Sequence, residues 1–246
     1  MNLKVIGTGS KGNAYLLYNE EEALLIECGV KFKYIQQAID FDIRKIVGCI
    51  VTHEHMDHCK SINDVMRSGI NVYATEGTHE ALSTIKHHRA RTIQYLKTFN
   101  LGNFKIMPFE VKHDAVQPCG FIIKHDEIGN TLFLTDSYYS PYRFANLNNI
   151  IIEANYSQDI IDKKLEMGGT ISFVRNRVLE SHMSIDNCIG LFDANDMSKV
   201  NNIVLIHLSD SNSDEALFYE KIKSHTLKTT TVARNGMDIP LNKTPF

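Results

Sequence analysis

Apolar residues fall along this chain in short runs broken by glycine, asparagine and charged clusters, a pattern of strands and turns with helices interspersed. Residues 3–6 and 14–18 read as strands on either side of a glycine-rich stretch, residues 7–13, and a third strand at 23–27 closes at Gly29. Residues 32–39 place apolar side chains at helical spacing, and 46–51 form another strand. A helix at 61–67 stopped by Gly69, with a strand at 70–74, completes a βαβ-like unit. The spacing predicts a long helix over 78–96, carrying the basic cluster Lys86, His87, His88, Arg89 and Arg91. Strands follow at 104–111, 120–125, 130–135 and 150–153, then helices at 157–166 and 185–194. A buried-type strand at 203–207, a closing helix at 213–224 and a strand at 229–233 end the pattern. No linker or repeat divides it. The expectation is a mixed α/β (α+β) chain, residues 1–246 as one domain, with sheets packed on each other and helices outside.

Composition narrows the classes. With 43% hydrophobic and 22% charged residues, the 246-residue chain has the make-up of an ordinary soluble globular protein. A formal net charge of −3 gives no global attraction to a polyanion, so nucleic acid would have to be held by metals or local basic patches. Cys28, Cys49, Cys59, Cys119 and Cys188 are scattered and lack a CxxC pair, which fits reduced thiols in a cytoplasmic protein. The first residues run straight into a strand, so no export signal is expected, and no apolar run suits a membrane span.

The chemistry concentrates after the strand at 46–51, where His53, His55, Asp57 and His58 occur within six positions. On extended backbone, side chains two apart point the same way, so His53 and His55 can share one metal. Asp57 and His58 are adjacent, require a turn, and suit a second metal beside the first. Three further candidates, His113, Asp136 and His207, each end an apolar run and precede a polar turn. His53, His55 and His113 make a three-histidine set with an open position, the catalytic zinc pattern. Asp57, His58 and His207 make the second set, and the two oxygens of Asp136 can bridge ions about 3.5–4 Å apart. Imidazole with carboxylate favours Zn2+, with Mn2+ or iron compatible. His79, His87, His88, His125 and His225 read as surface residues. His182 precedes the helix near residue 185, for which Ser184 is the N-cap, and that position suits contact with an anion. The stretch at 7–13 is either a plain hairpin turn or a nest of amides facing an anion.

These residues resemble the metallo-β-lactamase superfamily, whose hallmark is His-x-His-x-Asp-His after a strand, and more closely its YycJ/WalJ-like branch of bacterial and phage proteins described as DNA exonucleases. The branch-level matches are residues 9–13, 52–58, 73–77, 108–109 with 113–115, 135–136, 153–155, 182–184 and 207–212. The resemblance implies a four-layer αββα sandwich with two divalent metals at one sheet edge. There are two departures. Glu27 stands where the family has an aspartate that braces the metal loop, and Ser181 stands where it has a glycine. The chain has no room for a β-CASP insert and shows no long exosite arm.

The function that follows is metal-dependent phosphodiester hydrolysis, a DNA exonuclease of 5′→3′ type by resemblance, in which a two-metal-activated bridging hydroxide attacks phosphorus. Asp57 would orient the nucleophile, and His182 would stabilise the developing charge or protonate the leaving oxygen. Ser10, Lys11, Gly12, Asn13, His182 and Ser184 are the candidate substrate contacts. The alternatives are a small-molecule or cyclic-phosphate phosphodiesterase, an RNA-acting nuclease, a thioester or lactam hydrolase, and a metal-bearing regulatory protein with little turnover.

Overall fold

Strands in the middle of this chain's sheets, such as residues 23–26 and 147–153, are buried on both faces, and the alternation of their side chains explains why. The computed structural model describes residues 1–167 and 179–245. Its first half contains β1 (Asn2–Gly7), β2 (Ala14–Tyr18), β3 (Ala23–Ile26), β4 (Ile46–Ile50), β5 (Val72–Thr75), β6 (Ala90–Ile93) and β7 (Phe99–Leu101). Then come β8 (Phe104–Glu110), β9 (Cys119–His125), β10 (Gly129–Leu134), β11 (Leu147–Glu153), β12 (Asn202–Ile206), β13 (Thr229–Val232) and β14 (Asp238–Pro240). One sheet has the order β14-β1-β2-β3-β4-β5-β6 and the other β13-β12-β11-β10-β9-β8-β7. Each sheet is antiparallel at one end, and in each a run of four strands, β3 to β6 and β10 to β13, is parallel.

Leu24 and Ile26 face the second sheet and meet Phe121, Phe133 and Ile151 in a core between the sheets. Their neighbours Ala23 and Leu25 face outward against Ile35 of α1 (Phe32–Ala38) and Val65 of α3 (Ile62–Arg67), beyond the short α2 (Met56–Cys59). On the other outer face, Leu132, Ile150 and Leu205 pack on Cys188 and Phe192 of α6 (Ile185–Asp193) and Phe218 of α7 (Glu215–Thr226). The described residues also form α4 (Glu76–Ala81) and α5 (Gln158–Glu166). Two apolar faces per sheet require cover on both sides, and the result is the expected αββα sandwich.

The expected helix over 78–96 is a misreading. α4 ends by residue 81, Ser83 adopts a left-handed φ of 56°, and Ala90–Ile93 is a strand at the sheet edge. An edge strand with one buried residue, Ile93, imitates the sparse apolar stripe of an exposed helix. Its basic cluster also lies away from the histidine-rich loop: Arg89 donates to Asn71 Oδ1, just before β5 begins, whereas that loop follows the far end of the parallel neighbour β4. Two histidines expected on the surface are buried. His79 Nδ1 is 2.9 Å from Thr84 Oγ1, and His125 Nε2 is 3.2 Å from Glu22 Oε1. No helix among the described residues is long and apolar enough to cross a membrane.

Candidate metal centre

Loops leaving the carboxyl ends of strands in both sheets meet over one edge of the sandwich. From the first sheet, the chain leaves β4 extended through His53 and turns at His55, which stands one residue ahead of α2. The turn carries Asp57 and His58 into the space His53 and His55 already face. Room for it comes from glycine: a Cβ on Gly29 would collide with the Asp57 carbonyl. Asn13 tightens the same turn, its backbone N–H donating to the Asp57 carbonyl at 2.6 Å.

From the second sheet come His113, Asp136 and His207. Asp136 and His207 have φ of 48° and 53°, the left-handed region that side chains seldom occupy. Such strained positions persist only where surrounding contacts over-determine them. Here they do: the His207 N–H donates to Thr8 Oγ1 at 2.9 Å, and Thr135 Oγ1 donates to Asp136 Oδ2 at 2.7 Å.

His53 Nε2 and His113 Nε2 each stand 3.1 Å from His55 Nδ1. Three imidazole nitrogens so placed fit a tetrahedral ion, whose ligands at zinc–nitrogen lengths lie about 3.3 Å apart. The other ring nitrogens are committed. Thr52 Oγ1 is 2.8 Å from His53 Nδ1, and His113 Nδ1–H donates to the Ser181 carbonyl at 2.8 Å. That bond fixes the tautomer with a free Nε2 lone pair. Burial holds the His53 imidazole well below its ordinary pKa and lowers that of His113, so both stand neutral, as ligands must.

The second set forms around Asp57, whose Oδ2 lies 3.4 Å from both His58 Nε2 and His207 Nε2. Burial opposes the Asp57 charge, but His207 and His58 outweigh it and hold the carboxyl far below the usual carboxylate range. Asp136 stands between the sets. Its Oδ2 is 3.0 Å from His58 Nε2, and its ligand atoms cluster with those of His53 and His58 on one side and His182 and His207 on the other. All seven expected ligands therefore converge, and their donors suit two divalent ions.

Glu27 takes the brace position despite its extra methylene. Its φ of 62° turns the carboxylate under the loop, where it accepts from the Thr52 N–H at 3.3 Å and lies 3.5 Å from His58 Nδ1. Glu153 lies in the 153–155 motif match, to which the sequence reading attaches no role, and the structure gives it one. Fully buried at the end of β11, it places Oε1 2.7 Å from His182 Nδ1 and 3.0 Å from His207 Nδ1. Its Oε2 accepts from the Met183 N–H at 3.1 Å. The signal was available: β11, like β10, is an apolar strand that runs into an acid. Asn155, of the same motif match, donates from Nδ2 to the His207 carbonyl at 2.9 Å.

His182 borders the centre, with a side chain 22% exposed. Burial lowers its pKa, yet Glu153 and Asp136 together outweigh that and push it up to about 11, so the ring is an imidazolium whose Nε2 edge turns away from Glu153. Ser184 is buried, and its Oγ accepts the Asn187 N–H as the α6 cap, so this expected substrate contact is a helix-capping group. Asn13 is likewise buried: its Oδ1 accepts from the Gly9 N–H at 2.9 Å and its Nδ2 lies 3.2 Å from His58 Nε2, which makes it a brace for the turn. Ser10 and Lys11 are exposed and Gly12 is buried. These three line a cavity of about 330 Å³ together with Lys31, Tyr34 and Lys60, and Lys11 pairs with Asp210 at 2.9 Å. All five cysteines are buried free thiols.

Comparison with known proteins agrees with this architecture. The family profile described as beta-lactamase superfamily domain matches residues 23–208. Exodeoxyribonuclease WalJ of Streptococcus pneumoniae is 28% identical over 229 residues, covering 87% of this chain and 83% of its own. Exodeoxyribonuclease YycJ of Bacillus anthracis is 26% identical over 232 residues, covering 87% and 85%. Among solved structures, the metallo-beta-lactamase fold protein YhfI from Bacillus subtilis aligns with a TM-score of 0.74 at 16% identity, over 97% of this chain and 99% of its own. Human tRNase Z, short form, aligns with a TM-score of 0.64 at 18% identity, over 98% and 99%. At these identities the structural likeness speaks for the fold alone.

Proposed function

The chain belongs to the beta-lactamase superfamily, on its YycJ/WalJ-like branch, and from that premise we propose that it is a metal-dependent nuclease that shortens DNA from a 5′ end. The observation that carries this reading is the pair of three-residue sets, His53, His55 and His113 beside Asp57, His58 and His207, with Asp136 reaching both. The exodeoxyribonuclease names of the two bacterial relatives support DNA over RNA and over a small phosphodiester. Zn2+ is the preferred ion for such ligands, with Mn2+ the alternative. Buried free thiols support a cytoplasmic setting. The whole chain acts as one domain with no inserted second one.

When bound, divalent ions supply positive charge for a phosphoryl oxygen and a water of lowered pKa. The chain's own residues do the rest. Asp57, held ionised, orients the attacking water while remaining a ligand. Glu153 holds the His182 imidazolium by Nδ1, and its Nε2–H faces the scissile phosphate, where it offsets developing charge or protonates the leaving oxygen. Ser10, Lys11 and Gly12 meet the terminal phosphate.

The test is to load the protein with Zn2+ or Mn2+ and offer 5′-phosphorylated linear duplex DNA, single strands, RNA and a bis-nitrophenyl phosphate reporter. DNA should shorten from its 5′ end, and chelation or His55→Ala should abolish shortening. Cleavage of the reporter alone would overturn the nuclease reading in favour of a small phosphodiester substrate, and shortening that survives His55→Ala would mark a contaminant. His182→Ala should lose turnover while keeping its metal.

A further inference from the structure

Beside the centre, on the side of the second sheet, the loop that follows Asp136 and the helix α6 enclose a cavity of about 430 Å³. Tyr139, Tyr142 and Arg143 line it from the loop, and Met183, Asn187 and Gly190 from the helix side. Both walls begin at the centre: Tyr139 is three residues from Asp136, and Met183 follows His182. Chain length limits the Asp136-to-Tyr139 separation to about 11 Å.

The cavity is built before anything enters it. Ser137 Oγ donates to the Tyr139 carbonyl at 2.8 Å, and Asn187 Nδ2 donates to the Tyr138 carbonyl at 2.9 Å, tying the loop to α6. The Tyr142 ring is set edge-on to Phe109, with centroids 5.7 Å apart at 67°. Tyr139, by contrast, leaves 56% of its surface in water. Arg143 is exposed, and the acid near it, Asp186, is taken by Lys221. An aromatic face, an exposed guanidinium without an acid partner among the described residues, and a volume within the range of small-molecule sites suit one chemistry: a flat base attached to a phosphate.

We propose that this cavity receives the base of the terminal nucleotide of the strand being cut, stacked on Tyr139, with Arg143 on a neighbouring phosphate. The assignment rests on the nuclease reading and adds a subsite to it. Stacking on an aromatic side chain is sequence-tolerant, because every base has a π-face. The enzyme would thus sense that a terminal base is present without reading which base it is.

The test uses metal-loaded protein and a fluorescein-labelled single-stranded DNA with cleavage-resistant phosphorothioate linkages, carrying a normal or an abasic nucleotide at its 5′ or 3′ end. Binding is read by anisotropy. Wild type should bind the normal end about tenfold more tightly than the abasic end, and the end that shows the difference is the one held. Tyr139→Ala, with unchanged metal content and circular dichroism, should bind both strands alike, at the wild-type abasic level. Gly190→Phe removes no stacking group. A Cβ there meets nothing within 4 Å, so the ring enters the cavity and should erase the same difference. Arg143→Gln should weaken both strands equally. A wild type that binds and cuts DNA but ignores the missing base overturns this assignment alone, as does a tenfold preference that survives both Tyr139→Ala and Gly190→Phe. A wild type that binds no strand overturns the nuclease reading and this inference together.

Discussion

Oε1 of Glu153 stands 2.7 Å from His182 Nδ1 and 3.0 Å from His207 Nδ1, so one buried carboxylate orients both a metal-ligand candidate and the histidine beside it. Each imidazole is thereby left with Nε2 as its outward atom. The same carboxylate accepts the Met183 N–H, which locks the approach to α6.

Replacing Glu153 by glutamine keeps the size of the side chain and removes its charge. Partners that orient metal-bound histidines are worth about 10–100-fold in metal affinity or activity. Glu153→Gln should fall in that range, read by competition with a chromogenic chelator and by turnover of bis-nitrophenyl phosphate. Wild-type values in both assays would reduce Glu153 to a packing residue.

Glu27→Ala should lower stability by about 1–3 kcal/mol, the cost of leaving buried polar groups without partners. The Thr52 N–H and His58 Nδ1 both face that carboxylate. Urea unfolding of the metal-free protein isolates this cost from any change in ion binding. A loss under about 0.5 kcal/mol, the usual size of a surface substitution, would show that water replaces the brace.

The lysine-lined cavity beside the glycine loop predicts a salt effect. If Lys31 and Lys60 each meet one strand phosphate, the double variant Lys31→Ala/Lys60→Ala should bind single-stranded DNA with a log–log salt slope shallower by about 1.4, at about 0.7 per contact. Titration between 50 and 200 mM salt, roughly the range over which such slopes are read, decides it. An unchanged slope takes that cavity out of the strand's path.

His79 predicts a pH effect away from the centre. Burial pushes its imidazole below the ordinary value, against the opposing pull of the Arg91 and Val72 carbonyls. With the folded pKa depressed, its stabilising contribution is present above about 6.5, the unfolded value, and is lost as pH falls through the folded one. The stability gap between wild type and His79→Gln should therefore narrow from pH 7.5 to pH 5 in urea unfolding, roughly the span over which histidine titrates. A gap that stays constant would mean that His79 keeps its ordinary pKa.

The centre was legible because its ligands obey local rules. His53 and His55 alternate on extended backbone, and His113, Asp136 and His207 each punctuate an apolar run. Glu153 obeys the same rule and stands in a motif match, yet its role is not legible, since an acid at a strand end gives no sign of the partners that the fold brings to it. Ser184 is legible as a cap, but its burial is a tertiary fact, as is that of Asn13 beneath the turn. The stretch at 78–96 failed for the opposite reason. An exposed edge strand packs one side only, and its pairing with β5 cannot be seen from its own spacing.

The ligand candidates divide between the two sheets: His53, His55, Asp57 and His58 follow the first, while His113, Asp136 and His207 follow the second. Neither set lies on one sheet alone: His113 joins the first set from the second sheet, its Nδ1 on the Ser181 carbonyl, and His207 joins the second set from the loop after β12. An ion held by either set would act as a rivet between the two layers, and removing it would loosen one sheet from the other.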